Sequence, residues 1–409
     1  MQDFLESRRQ GVSPSPQCGR MDAELAHWRG RPETGRQRGP FPAVSISLCL
    51  PASPSMMILQ SITSAFPEGQ MTQMDVWELL GSSKALERVS SGSARLLERV
   101  LKGDSGIDTR SFGYPDLERV FSASPDDLAR GFEEAAPCLA GRALEKALVS
   151  AGMVAGDVDA LFISTCTGYL CPGVTSHVAE QLAMREDACL HDLAGLGCAA
   201  ALPMLRSAEG FLATNPGATV ACVAVEICSA AFYLDDDPGQ LISLCLFGDG
   251  ASASLWSDAG RGWAVDGFSS LHLPQAREKI RFVKEGGGYL KNKLSPEVPD
   301  YSARAVERMW ERSEGLPRLR PVLHGGGRDV LTAIEMRLGL AEDALAEERS
   351  VLRSQGNMSS PSVLVALERK IQNFQGQEGE GFWLCGFGAG FSAHAANLRA
   401  PSSHTQCQE

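Results

Sequence analysis

From about Met57 onward the apolar positions follow two alternating periods. Leu80 to Lys102 carries them at helical spacing and ends in the turn Gly103-Asp104-Ser105-Gly106. Leu128 to Ala151 reads as a second helix, closed by Gly152, and it feeds Val158 to Ser164. That continuous apolar run suits a strand buried on both faces. A helix over about Val174 to Met184 and a short strand around Leu190 to Leu193 follow, and Cys198 then opens an Ala-rich helix to about Leu212. Ala218 to Val225 is a further buried strand, and Phe247-Gly248-Asp249-Gly250 a tight turn before the small-residue strand Ala251 to Trp256. The second half repeats the plan. Its strands are Trp263 to Leu271, Gly381 to Phe387 and Phe391 to Leu398, and its helices about Ser302 to Arg312, Val330 to Leu338, Glu342 to Gln355 and one after Asn357. Two similar halves, 57–265 and 266–400, suggest an internally duplicated α/β fold.

Residues 1–55 differ in kind. Seven prolines and seven arginines stand there without sustained periodicity. The segment reads as disordered, or as an extension ahead of a later start at Met56, Met57 or Met71. The apolar run Ala43 to Leu50 lies between two prolines and is far shorter than the roughly 18 residues that span a bilayer, so a cytoplasmic protein without a membrane partner is expected.

Composition narrows the function. A hydrophobic content of 44% and a charged content of 22% suit a globular protein, and a net charge of −12 argues against a nucleic-acid partner. Among the 12 cysteines, Cys222, Cys228, Cys245 and Cys385 sit in apolar runs, as reduced buried side chains do. Cys166 and Cys171 are five apart, with no His or further Cys pair to complete a zinc pattern, so no metal is expected.

Three residues stand in Gly-rich or small-residue turns: Cys198 in Gly197-Cys198-Ala199, His324 in His324-Gly325-Gly326-Gly327, and Asn357 in Gly356-Asn357-Met358-Ser359-Ser360-Pro361. A thiol, an imidazole and a carboxamide can together handle an acyl thioester. The thiolate takes the acyl group, and the other two donate hydrogen bonds to the carbonyl oxygen on which charge develops. The position of Cys198 at a helix entrance, with a nearby imidazolium, leads one to expect a lowered thiol pKa. The bare glycines after His324 allow close approach of a bulky ligand such as the pantetheine arm of CoA. Read singly, Cys198 could be a small core residue, His324 a polar loop residue and Asn357 a helix cap.

With Thr167-Gly168, Pro172-Gly173, Leu246 to Gly250 and Gly386-Phe387-Gly388-Ala389-Gly390 added, the chain resembles the type III polyketide synthases. These are the chalcone- and stilbene-synthase-like family of the thiolase superfamily. The resemblance spans about residues 57 to 400. It implies a duplicated αβαβα layered fold and a homodimer. It also implies iterative decarboxylative condensation of malonyl-CoA onto an acyl-CoA starter held on Cys198, with no cofactor beyond the CoA thioesters. His324 and Asn357 would support decarboxylation. Phe247, and Phe282 on a weaker local match, would be gatekeepers between the CoA tunnel and the cavity. Cys166, Cys171, Cys228, Ala231 and Ser359 would line the cavity, with Gly326 and Gly327 beside the substrate. Arg95, Arg99 and Lys102 are candidates for the CoA phosphates. Cys166, where plant enzymes tend to have Thr, points to a bacterial-type resorcinol, pyrone or polyhydroxy-aromatic product. Two positions depart from the family: Gly325 replaces the proline usual after the histidine, and Ala389 the proline usual in the last Gly-rich turn. The alternatives are an initiation-type β-ketoacyl synthase served by a carrier protein, a thioesterase, and a catalytically silent homologue.

Overall fold

Capping residues decide where the helices begin. Thr72 and Ser124 each accept a hydrogen bond from an Asp three residues on, whose carboxylate bonds back to the cap amide. The helices Gln73–Ser82 and Pro125–Ala151 follow. The helix expected over Leu80 to Lys102 is in fact two. Ser82 and Ser83 turn their hydroxyls onto Leu79 O, Lys84 adopts φ 56°, and Ser90 caps a new helix, Ser91–Lys102. Serines that compete for helix carbonyls, followed by a left-handed residue, end the first helix despite its continuing apolar spacing.

The computed structural model describes residues 56–401 apart from 286, 314–318 and 377–378, so the expectations for residues 1–55 lie outside the described residues. Among the described residues there are thirteen strands. They are β1 (Ile58–Ala65), β2 (Gln70–Thr72), β3 (Thr109–Ser111), β4 (Ala160–Ser164), β5 (Cys189–Leu193), β6 (Thr219–Glu226), β7 (Gly250–Ser257), β8 (Trp263–His272), β9 (Ile280–Glu285), β10 (Tyr289–Leu294), β11 (Leu319–Leu323), β12 (Gly381–Gly388) and β13 (Ser392–Arg399). Nine of them form one mixed sheet in the order β11-β12-β13-β8-β1-β7-β6-β4-β5. Its two halves meet only where Ile58 and Leu59 of β1 pair with Ala264 and Trp263 of β8.

Helices Ala201–Thr214 and Pro361–Gln372 contact strands of both halves, the first β4, β6, β12 and β13, the second β1, β6, β7, β11 and β12. They are the shared middle layer. Helix Pro125–Ala151 covers the outer side of β1, β6 and β7, and helix Val298–Glu311 that of β8, β12 and β13. This is the five-layer α/β/α/β/α arrangement expected, and it explains why the middle helices carry an almost wholly apolar or small-residue face. Because β1 lies mid-sheet, a chain begun at Met71 would lack a central strand. The periodicity reading did not anticipate helix Pro238–Leu246 or the separate β9–β10 hairpin. No helix among the described residues is long and apolar enough to cross a membrane.

Candidate active site

Two glycine-bearing loops interlock to build the floor of the site. Asn357 N donates to Leu246 O at 2.9 Å, and Gly248 N donates to Asn357 O at 3.0 Å, so Phe247 and Asn357 lie side by side. Glycine is required at the crossing. A Cβ at Gly248 would lie 2.4 Å from Gln355 O, and one at Gly356, whose φ is 70°, 2.8 Å from Leu246 O. Asp249, fully buried, accepts from Gly113 N at 2.6 Å, from Ser229 N at 2.9 Å and from the Ser229 hydroxyl. It thereby anchors the turn Cys228–Ala231 against the same floor.

Cys198 sits in the short turn Gly197–Ala199 that enters helix Ala201–Thr214. The end of β12 presses on this turn. A Cβ at Gly388 would stand 3.0 Å from Cys198 N, so only glycine lets the strand come so close. His324 follows the last residue of β11, its amide bonded to Cys385 O at 3.0 Å and its ring edge-on to Phe387. Cys198, His324 and Asn357 are all buried, and all three line one cavity of about 30 Å³ together with Phe247, Phe387 and Phe391. That cavity shares Leu246, Leu294, Val298, Gly326 and Val330 with an outer cavity of about 810 Å³.

Hydrogen bonds orient the carboxamide. Asn357 Oδ1 accepts from Ser359 N at 2.8 Å, and Nδ2 donates one hydrogen to Gly326 O at 3.1 Å, which leaves its second hydrogen for a ligand. The ring nitrogen Nδ1 of His324 is buried with no hydrogen-bond partner. Ser359, held at φ 59°, donates to Cys198 Sγ at 3.2 Å and lies 3.4 Å from Cys166 Sγ.

Ionisation runs against the expectation drawn from sequence. Burial pushes the Cys198 thiol up to about 12; the bond from Ser359 lowers it and the Glu226 carboxylate raises it further. Burial likewise holds His324 down at about 4. Each group is therefore neutral by itself at pH 7; a thiolate here needs a base to take the proton, and His324 is the imidazole that lines the same cavity. The check is alkylation of Cys198 by iodoacetamide. At pH 7, His324→Gln is expected to slow labelling at least about tenfold, the change in thiolate fraction for one pKa unit. The two proteins should converge as the pH rises towards 12. Equal rates at pH 7 would show that the thiol ionises without His324.

The structure places the remaining predicted residues unequally. Phe247 lines the inner cavity, and Cys228 packs beside it and Cys198. Cys166 is half-buried behind Ser359, and Ala231 is buried in its turn; neither lines the inner cavity. Phe282 stands half-buried on β9, while Ile280 and Leu294 of the same hairpin line the cavity instead. Cys171 is exposed, outside the cavity of its own chain. Gly326 lines both cavities and Gly327, at φ 152°, the outer one. Ala389 lies against Gly197. Arg95, Arg99 and Lys102 face an open groove, but only Arg99 also reaches the outer cavity, and Lys102 pairs with Glu98 at 2.9 Å. The nine cysteines among the described residues are free, and those residues include no group of three or more His, Cys, Asp or Glu able to hold a metal ion.

Two buried charges that hold the floor of the site were missed. Glu226, at the end of β6, accepts from Thr165 Oγ1 at 3.2 Å, Cys166 N at 2.9 Å, Thr167 Oγ1 at 2.9 Å and Ser360 Oγ at 2.7 Å, and lies 3.3 Å from Ser359 Oγ, which shares its one hydrogen with Cys198 Sγ. It ties Cys166 to the serines after Asn357. Its one signal in the sequence is an acid closing the apolar run Val220 to Val225. Arg110, on β3 and fully buried, donates to Gln73 Oε1 at 2.9 Å, Leu244 O at 2.6 Å and Phe247 O at 2.7 Å. Three acceptors lose their donor if it is removed, so Arg110→Met is expected to destabilise the protein by about 3 kcal/mol or more, read as a lowered urea midpoint. An unchanged midpoint would mean that water replaces the guanidinium at no cost.

Comparison with known proteins agrees with this geometry. The family description "FAE1/Type III polyketide synthase-like protein" matches residues 64–265, and "Chalcone and stilbene synthases, C-terminal domain" matches residues 272–400. The chain is 30% identical to the 3,5-dihydroxyphenylacetyl-CoA synthase of Amycolatopsis balhimycina over 310 residues, 72% of this chain and 83% of that one. It is 28% identical to the 1,3,6,8-tetrahydroxynaphthalene synthase of Streptomyces peucetius subsp. caesius over 350 residues, 83% of this chain and 92% of that one. It is 28% identical to the phloroglucinol synthase of Pseudomonas fluorescens over 341 residues, 81% and 95% of the two chains. The crystal structure of 1,3,6,8-tetrahydroxynaphthalene synthase from Streptomyces coelicolor A3(2) superposes with a TM-score of 0.74 at 24% identity, covering 85% of this chain and 99% of that one.

Proposed function

This chain belongs to the type III polyketide synthase family, and on that premise we propose how its residues divide the work of an acyltransferase. Cys198 attacks the thioester of an acyl-CoA starter; the C–S bond to CoA breaks, and the starter becomes a thioester of Sγ. Malonyl-CoA then loses CO₂, and the electron pair of the broken C–C bond becomes an enolate. The oxygen of that enolate takes hydrogen bonds from His324 and Asn357. The enolate carbon attacks the acyl-Cys198 carbonyl and expels the thiolate, which leaves a β-ketoacyl-CoA two carbons longer. Reloading onto Cys198 allows another round, and cyclisation releases a resorcinol, pyrone or polyhydroxy-aromatic product.

The observation that carries this reading is the convergence of three distant residues on one buried cavity. Its narrow inner end is lined mostly by apolar side chains, and the low dielectric there strengthens each donor towards the enolate. The outer cavity, with Arg99 and Arg328 at its rim and the bare backbone of Gly326 and Gly327 along its wall, offers a path for the CoA phosphates and pantetheine arm. Neither a redox cofactor nor a metal has a step to perform. Relatives named for 1,3,6,8-tetrahydroxynaphthalene, 3,5-dihydroxyphenylacetyl-CoA and phloroglucinol support a polyhydroxy-aromatic product. A homodimer is the assembly we propose. The half-exposed edge strand β5, with Leu190 on its outer face, has no strand neighbour on one side and suits pairing with a second copy. The cytoplasm is the compartment we propose, with residues 57–265 and 266–400 as the two halves of the catalytic unit.

The test is incubation with malonyl-CoA and a panel of acyl-CoA starters, followed by mass spectrometry. Products heavier than a starter by successive ketide units are expected, formed without a carrier protein. Free acid and CoA alone would favour a thioesterase, and a requirement for a carrier protein would favour the initiation-type synthase.

A further inference from the structure

We propose that Glu348 and Lys370 form a buried cap on the outer edge of β11 that sets the position of His324, an inference that rests on the role given to His324 above.

The argument starts from the edge of the sheet. Among the described residues β11 is the terminal strand, paired only with β12, in parallel register from Leu319–Gly381 to Leu323–Cys385. The amide of His324 points towards β12, onto Cys385 O. Backbone groups alternate along a strand, so those of Pro321 and Leu323 point the other way, where no strand stands. An unpaired edge beside a buried site needs partners for these groups. Proline at 321 removes one donor outright. Leu323 N donates to Glu348 Oε1 at 3.0 Å, and Lys370 Nζ donates to Pro321 O at 2.7 Å. The ammonium completes its three bonds on Glu348 Oε1 at 2.8 Å and Ala344 O at 3.1 Å. An ion pair thus takes the place of a tenth strand.

Both partners are deeply placed, the Glu348 side chain at 0% exposure and that of Lys370 at 10%. A pair so buried is a poor way to gain stability, because desolvation offsets most of its attraction. It is a good way to fix geometry. Glu348 lies on helix Ala346–Gln355, which runs directly into Gly356 and Asn357; Lys370 lies on helix Pro361–Gln372, which starts directly after Ser359 and Ser360. Both helices that flank the Asn357 turn therefore reach back to the strand that leads into His324. Gly325 strengthens the case. The family's usual proline would lock the backbone after the histidine, and glycine does not. After His324 the backbone is held by the turn bond from Gly326 N to His324 O, 2.9 Å, and much of the restraint comes from the residues before it.

The test is malonyl-CoA decarboxylation by the full chain carrying Glu348→Leu with Lys370→Met, which removes both charges and strands neither. A folded protein is expected with kcat reduced about ten- to a hundredfold, the cost of a catalytic group misplaced by about 1 Å, and KM changed by less than about twofold. In a His324→Gln background the same pair of substitutions should cost nothing further. If that protein does not fold, Glu348→Gln with Lys370→Met keeps an acceptor for Leu323 N and removes the donor to Pro321 O. A smaller loss of kcat, at least about threefold, is then expected, again absent in the His324→Gln background. Wild-type kcat in the folded variant would overturn the cap. So would an equal loss with and without His324, which is what a merely structural role would give. Undiminished decarboxylation by His324→Gln alone would instead overturn the role of His324.

Discussion

Cys198→Ala is expected to lower polyketide formation at least about a thousandfold, the scale on which removal of a covalent nucleophile is felt, while malonyl-CoA is still decarboxylated in part. The two outcomes separate because the decarboxylating donors are not held by the thiol. Asn357 is oriented by Ser359 N and Gly326 O, and His324 by the strand pairing of β11 with β12. Cys198 receives a bond from Ser359 but supports none of these contacts. The substitution removes one buried sulfur and leaves a small gap, at a stability cost of about 1 kcal/mol. Product mass and CO₂ release measured on the same sample make the check. Full product formation by the alanine variant would end the covalent mechanism proposed here.

His324→Gln and Asn357→Ala are each expected to lower kcat for decarboxylation about 10²- to 10³-fold, with KM for malonyl-CoA little changed. A donor aimed at an oxygen that becomes charged only in the transition state contributes about 3–4 kcal/mol there and little to ground-state binding. The two losses should combine to less than their product, since both donors act on one enolate oxygen. Asn357→Asp is expected to be worse than Asn357→Ala, because a carboxylate would face the enolate with like charge. Steady-state decarboxylation across the four single and double variants provides the measurement. A variant that raises KM at unchanged kcat would show that the side chain only binds substrate.

Much of this was legible in the chain itself. Cys198, His324 and Asn357 each stand in a glycine-bearing turn, and the structure shows what glycine does around two of them: Gly356 and Gly248 let the Asn357 loop cross the Phe247 loop, and Gly388 lets β12 press on the cysteine turn. The alternating periods placed most strands and helices. They failed at Leu80 to Lys102, where serine hydroxyls on Leu79 O end a helix inside a continuing apolar pattern. The gatekeeper reading of Phe282 came from the resemblance instead, and a half-buried hairpin residue and a cavity residue look alike in one dimension.

What the sequence determined alone is local: which segments bury one face, which turns need glycine, and which three side chains are the candidates for thioester chemistry. The rest depends on burial and on separations of tens to hundreds of residues, which no local pattern encodes. Desolvation, not helix position, sets the direction of the Cys198 and His324 ionisations. Glu226, Arg110 and the pair Glu348–Lys370 look like ordinary charges along the chain. Only the tertiary structure removes their water and sets them against the backbone and side chains that hold the site, because the cost of a buried charge exists only once the fold has closed around it.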